Sequence, residues 1–161
     1  MAQYRLKTQL FVARPLEETF AFFADAGNLQ KLTPPWLSFR IRTPQPITMR
    51  PGTLIDYLIV VRGLPVPWRT RISDWTPPAG FVDEQLWGPY WKWHHTHDFS
   101  RVEGGTLVTD TVLYSPIGGA VMQRLMVRRD LERIFTYRQH AILEQFNVDS
   151  LEPIAVSIER I

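Results

Sequence analysis

The sequence contains no cysteine. That excludes a disulfide framework, a thiolate nucleophile and any zinc site built on cysteine. It also lacks a run of about 18 apolar residues, so no segment is expected to span a membrane as a helix. The opening residues, Met-Ala-Gln-Tyr-Arg-Leu-Lys-Thr, lack the apolar core of a signal peptide, and a cytoplasmic, reducing compartment is the expectation. An excess of one charge is missing as well. Eighteen Lys and Arg against 16 Asp and Glu leave a formal charge of +2. No dense basic patch results, so no nucleic-acid partner is expected. There is no P-loop, nucleophile elbow or dinucleotide fingerprint, no internal repeat and no linker that would divide the chain.

What the sequence has in quantity is aromatic residues, and they concentrate. The 161 residues contain six tryptophans and four histidines, and Gly88–Phe99 alone holds two of the former and three of the latter. This stretch reads Gly-Pro-Tyr-Trp-Lys-Trp-His-His-Thr-His-Asp-Phe. In a strand, alternate side chains face opposite ways. Trp91, Trp93, His95, His97 and Phe99 then share one face, and Lys92, His94, Thr96 and Asp98 the other. A purely structural strand more usually buries Val, Ile and Leu. This face is suited to lining something.

The rest of the chain falls into elements by period. Tyr4–Ala13 alternates, with Tyr4, Leu6, Thr8 and Leu10 on one face, and predicts a strand. Pro15–Ala24 carries Leu16, Phe20 and Phe23 at helical spacing, and Asn28 is the expected cap of a second short helix ending at Leu32, before Thr33-Pro34-Pro35. Short strands are then expected at Ser38–Arg42, Thr53–Arg62, Pro67–Trp75, Phe81–Trp87, the opening stretch and Thr106–Ser115. Gly63-Leu64-Pro65, Thr76–Gly80, Gly88-Pro89 and Glu103-Gly104-Gly105 provide the turns. Consecutive strands joined this way predict an antiparallel meander. Val127, Leu131, Ile134, Arg138, Ala141 and Ile142 then define a long amphipathic helix over Ala120–Phe146. Most of the arginines at 124, 128, 129 and 133 lie off its stripe and read as a solvated face. The tail Val148–Ile161 alternates weakly and contains Pro153. An edge strand, an ordered flap and a disordered extension all fit it.

This order of elements resembles the helix-grip fold of the START / Bet v 1-like / polyketide cyclase superfamily, often called SRPBCC. The resemblance covers about Tyr4–Phe146. Local strings also resemble a bacterial branch of ligand-binding SRPBCC proteins. They are Leu29-x-x-Leu32-x-Pro34-Pro35-Trp36, Trp68-x-x-x-Ile72, Phe81-Val82-Asp83-Glu84-Gln85, Gly88-Pro89-Tyr90-x-x-Trp93-x-His95-x-His97-x-Phe99 and Ile134-Phe135-x-Tyr137-Arg138. The resemblance implies one α+β domain, residues 1–146, in which a curved antiparallel sheet wraps the long helix around a deep cavity. Residues 147–161 would be an appended tail. The signature of Rieske-type oxygenases would need cysteine ligands, which this chain lacks. The superfamily includes carriers, sensors and enzymes, so the fold alone does not choose among them.

On that fold the alternation can be phased. Trp93, His95, His97 and Phe99 are placed facing the helix, as are Phe81, Asp83, Gln85 and Trp87 on the preceding strand, and Val108, Asp110, Val112 and Tyr114 on the next. Asp83, His95, His97 and Asp110 then share one interior neighbourhood, with Arg138 projecting from the helix. Buried charge must be paired, and several readings stay open. The cluster can be a structural network tying sheet to helix, or a polar anchor in an otherwise apolar cavity. It can also be an acid–base pair, as in polyketide cyclases and dehydratases. His95-x-His97, about 6.5 Å apart at Cα, with a carboxylate would make a His₂Asp metal set; two histidines are only half of a closed zinc site, and no metal or cofactor is assigned. Tyr57 and Trp68 are expected in the cavity wall, and Trp36 at its mouth as gate or plug. The function expected is binding of a small, largely hydrophobic molecule with a polar end, with a cyclase- or dehydratase-like enzyme as the alternative. No oligomeric state is assigned.

Overall fold

The computed structural model describes residues 1–151 and 154–161. β1 (Tyr4–Val12) buries alternate residues from Tyr4 to Val12, as its period requires. α1 (Leu16–Ala24) begins after Pro15 and buries Phe20, Phe22 and Phe23. A 3₁₀ turn (Ala26–Asn28) leads into α2 (Leu29–Leu32). Here the expected cap is corrected. Asp25 accepts the Gly27 backbone N–H at 2.8 Å, while the Asn28 side chain donates to the Phe22 carbonyl at 2.9 Å. The aspartate occupies the extended position that a cap needs, and Asn28 is already helical.

A 3₁₀ turn (Pro35–Leu37) carries Trp36. Beyond it the sheet comprises β2 (Arg40–Ile41), β3 (Leu54–Val61), β4 (Leu64–Thr76), β5 (Gly80–Trp87), β6 (Tyr90–Val102) and β7 (Gly105–Pro116). β2 is shorter than expected, and β4 starts earlier. The β3–β4 turn is centred on Arg62 and Gly63, both at positive φ (51° and 82°), so Leu64 and Pro65 are already strand residues rather than turn residues. Two left-handed residues give the turn whose twist matches a hairpin.

The helix α3 occupies residues 119–146, but it is not a uniform α-helix. Between Gly119–Met122 and Arg128–Phe146 lies one π turn, Gln123–Val127. Leu131, Phe135, Arg138, Gln139, Ile142, Leu143 and Phe146 form its buried stripe. In the tail, β8 (Val156–Arg160) pairs antiparallel with β1; of the three forms considered, this segment is an edge strand, and Pro153 lies outside the described residues. The strand order is β2-β3-β4-β5-β6-β7-β1-β8 in one curved sheet wrapped on α3. No helix among the described residues is long and apolar enough to cross a membrane.

Two apolar clusters fill the interior. One gathers Phe20, Phe23, Phe81, Phe99, Val108 and Ile142. The other gathers Trp68, Trp93, Val112, Tyr114, Leu131 and Phe135. On β6, β7 and α3 the polar residues His95, His97, Asp110 and Arg138 fall between members of the two. A polar layer is thus held between two apolar ones.

Candidate functional site

Between β3–β6 and α3 lies a cavity of about 920 Å³. Ile59, Tyr57, Trp68, Trp93, Leu131 and Phe135 contribute to its largely apolar wall, and Asp83, His95, His97 and Arg138 also line it.

The sheet register assembles the polar group. Asp83 on β5 lies opposite His95 on β6, and His97 lies opposite Asp110 on β7. The shortest side-chain bonds run diagonally. His97 Nε2 lies 2.7 Å from Asp83 Oδ2, and His95 Nε2 donates to Asp110 Oδ1 at 2.9 Å. The direct pairs close the ring at 3.0 Å (His97 Nδ1 to Asp110 Oδ1) and 3.7 Å (His95 Nδ1 to Asp83 Oδ2). The imidazoles lie close together, 3.7 Å between centroids and tilted by 32°. From α3, Arg138 Nε donates to Asp110 Oδ2 at 3.2 Å, with its guanidinium 5.5 Å from the centre of Phe23. Phe81 stacks on His97 at 4.2 Å.

Two carboxylates share this layer with one guanidinium and two imidazoles. Burial alone would raise Asp110, but the Arg138 guanidinium and the histidine hydrogen bonds hold it well below the usual carboxylate range. Burial is likewise outweighed at Asp83, chiefly by the His97 hydrogen bond, and its carboxyl is lowered. Burial would push His97 down, yet its bonds to Asp110 and Asp83 raise it above its ordinary value. Burial and the adjacent His97 lower His95. The two imidazoles are thereby set apart: His97 holds its proton more readily than a free histidine, and His95 less readily. Protonated, His97 donates from Nε2 to Asp83. Burial, then the Asp83 charge, pushes the Tyr57 phenol well above its usual range.

Of the residues expected to meet a ligand, Trp93, His95, His97, Asp83, Tyr57, Trp68, Arg138 and Trp36 line the cavity. Phe99, Gln85, Asp110 and Tyr114 are not among its lining residues. Phe99 packs against Phe20 and Phe23 in the apolar cluster. Gln85 is turned to the β5–β6 turn, where it bonds both backbone groups of Tyr90. Asp110 sits behind the imidazoles, 2% exposed. The Tyr114 hydroxyl accepts from buried Gln123 at 2.8 Å.

Two tryptophans leave the inward set. A register shift between Tyr90 and Lys92 turns Trp91 out, and another, opposite Arg69 and Thr70, does the same to Trp87; they are 64% and 58% exposed. Each irregularity inserts a residue and reverses the face beyond it. Tyr90 thereby enters the wall, 4.8 Å from the Trp93 ring. It was missed because its inward position depends on that bulge. Phe39, Thr70 and Met126 also line the cavity without having been singled out. At the rim, Trp36 meets Tyr137 edge-on at 5.6 Å under the Arg133 guanidinium.

No family model matches the chain, and no curated protein matches it in sequence. Solved structures do match. Protein Ms6760 from Mycobacterium smegmatis aligns over 89% of this chain and 90% of its own, with a TM-score of 0.67 at 16% identity. The Bet v 1 allergen Ara h 8.0201 aligns over 90% and 98%, with a TM-score of 0.65 at 14% identity. The fold is Bet v 1-like. Its SRPBCC helix-grip architecture is also present in a nucleoside-diphosphate sugar epimerase from Corynebacterium glutamicum, at 25% identity and a TM-score of 0.63. This chain covers 88% of its own length there but only 29% of that longer protein.

Proposed function

We propose that the protein binds a small, largely hydrophobic molecule in the cavity between the sheet and α3. In this reading, Asp83, His95, His97 and Arg138 orient the polar end of the guest. The observation that carries it is the cavity itself: about 920 Å³, with an aromatic wall and a polar layer against one part of it. That size and lining are those of small-molecule sites. Affinity comes mainly from area, at about 25 cal/mol for each Å² of apolar surface removed from water. Tyr57, Trp68 and Trp93 supply that surface, and Trp36 edges the opening. The buried indole N–H of Trp68 has no hydrogen-bond partner among the described residues, so an acceptor oxygen on the guest would satisfy it. A cytoplasmic carrier or sensor is part of the same proposal.

Native mass spectrometry of the purified protein, with displacement of an environment-sensitive fluorescent fatty acid, tests this reading. Wild-type protein should carry or take up the probe, and Val66→Trp, which fills the cavity, should take up much less while still unfolding cooperatively. A folded wild-type sample that takes up neither native guest nor probe overturns it.

One observation favours a second reading, a cyclase- or dehydratase-like acid–base enzyme. The His97–Asp83 pair, 2.7 Å apart, belongs to the cavity wall, where a proton can be exchanged with a guest. In that case His97→Ala and Asp83→Asn should lose turnover on a polyketide-like substrate while remaining folded. Turnover that survives both changes removes these residues from the reaction.

A further inference from the structure

The tilted imidazole pair has two unlike sides. On the buried side, both are held by one carboxylate. His95 Nε2 donates to Asp110 Oδ1 at 2.9 Å, and His97 Nδ1 lies 3.0 Å from the same oxygen and 3.5 Å from the Arg138 Nη2. Arg138 neutralises that carboxylate from behind. On the other side, the two remaining nitrogens, His95 Nδ1 and His97 Nε2, both approach Asp83 Oδ2. Among the described residues no lysine or arginine comes within ion-pair distance of Asp83. The three ligand atoms lie within 4.8 Å of one another, and all three residues line the cavity.

This is how metal-binding histidines are usually supported. One ring nitrogen gives its proton to a buried carboxylate, which fixes the tautomer, and the other presents its lone pair to a shared point. We propose that Asp83, His95 and His97 form a three-ligand site for a first-row divalent cation such as Zn²⁺, with a further coordination position open to the cavity.

The dimensions fit. Metal–ligand bonds of about 2.05 Å at tetrahedral angles put ligand atoms about 3.3 Å apart. The Asp83 oxygen stands 2.7 Å from His97 Nε2 and 3.7 Å from His95 Nδ1, on either side of that value. Seating a cation therefore requires the Asp83 carboxylate to withdraw from His97 and close on His95. Two imidazoles and one carboxylate select zinc-like ions over Mg²⁺ or Ca²⁺, which prefer all-oxygen sets. Seating the cation displaces the proton that His97 Nε2 gives Asp83, and that proton leaves to solvent. Asp110 stays outside the coordination sphere as a positioning residue, because Arg138 and both imidazoles already occupy it. The open position would take an oxygen of a cavity guest, such as a carboxylate. The inference does not rest on the guest being apolar.

The test uses untagged full-length protein stripped with EDTA and titrated with Co²⁺ alone, then with Zn²⁺ as competitor. The expected result is one Co²⁺ per chain, with the visible absorption of a low-coordinate cobalt site, displaced by Zn²⁺. His95→Ala, His97→Ala and Asp83→Asn should each weaken binding by about 100-fold or more, and Asp110→Asn by about 10- to 100-fold. His140→Ala, on the exposed face of α3, should change nothing. Should either alanine variant fail to fold, the near-isosteric Asp83→Asn carries the test. Wild-type protein that shows no saturable Co²⁺ or Zn²⁺ binding overturns the proposal, as does binding that survives Asp83→Asn. Uptake of the fluorescent fatty acid in EDTA is scored separately, so loss of the metal site leaves the apolar-guest reading to its own result.

Discussion

Arg138 is the residue on which the polar layer depends. It is 6% exposed and reaches Asp110, itself 2% exposed, from the opposite side of the core. Removing one partner of a buried ion pair leaves the other charged without compensation, at a cost of about 3–5 kcal/mol. Arg138→Gln should therefore lower stability by about that much, read by urea unfolding, whereas Arg129→Gln on the exposed face of α3 should cost under about 0.5 kcal/mol. The histidines differ in sign. His97 is raised above 6.5, so its stabilising contribution is complete below that pH and fades as pH rises through its folded value. His95 is lowered below 6.5; its contribution is present above that pH and is lost as pH falls through its folded value. In metal-free protein, ¹⁵N side-chain spectra should show His97 titrating above 6.5 and His95 below it. The stability deficit of His97→Gln relative to wild type should shrink as pH is raised. A deficit that grows with pH contradicts this assignment.

At the level of elements, period-two alternation was a sound guide wherever the ladder was regular. It placed His95, His97, Asp83 and Asp110 together, because each faces its partner in unbroken register. It failed at Trp87 and Trp91, where an inserted residue reverses the face, and nothing in the composition of those strands announces a bulge. Helical spacing marked α3, but the π turn at Gln123–Val127 leaves no periodic trace in five residues. The cap at Asp25 was overlooked because Asn28, an equally good capping type, stood nearby. Gly80 exposes another constraint that periodicity does not carry. A Cβ there would collide with the His97 carbonyl oxygen, so β5 approaches β6 this closely only because the residue is glycine. Gly80→Ala should force the strands apart beside the cluster and cost about 1–3 kcal/mol by thermal unfolding. An unchanged melting temperature would show that the hairpin relaxes freely at this point.

For the whole molecule, the order of elements carried the resemblance to the helix-grip fold, and that resemblance anticipated the architecture. The cavity is a different kind of property. Its volume is what remains after every side chain has found a place, and no single residue encodes that remainder. Tyr57, Trp68 and Trp93 were anticipated in its wall once the helix-grip fold said which face is concave, while Tyr90 and Met126 needed the actual backbone path. The tail was ambiguous because Val156–Arg160 alternates too briefly to distinguish an edge strand from an extension, and its pairing with β1 decides the matter.

The sorting of tryptophans also has an optical consequence. Trp68 and Trp93 belong to the cavity wall and are 8% exposed, whereas Trp87 and Trp91 stand in solvent. Intrinsic emission should therefore separate into a blue component shielded from acrylamide and a red component open to it. A guest entering the cavity should perturb the blue component most, with Trp36, half exposed at the opening, the red contributor it can also meet. Equal perturbation of both would mean binding on the outer surface, so the chain reports the location of its own occupant without an added dye.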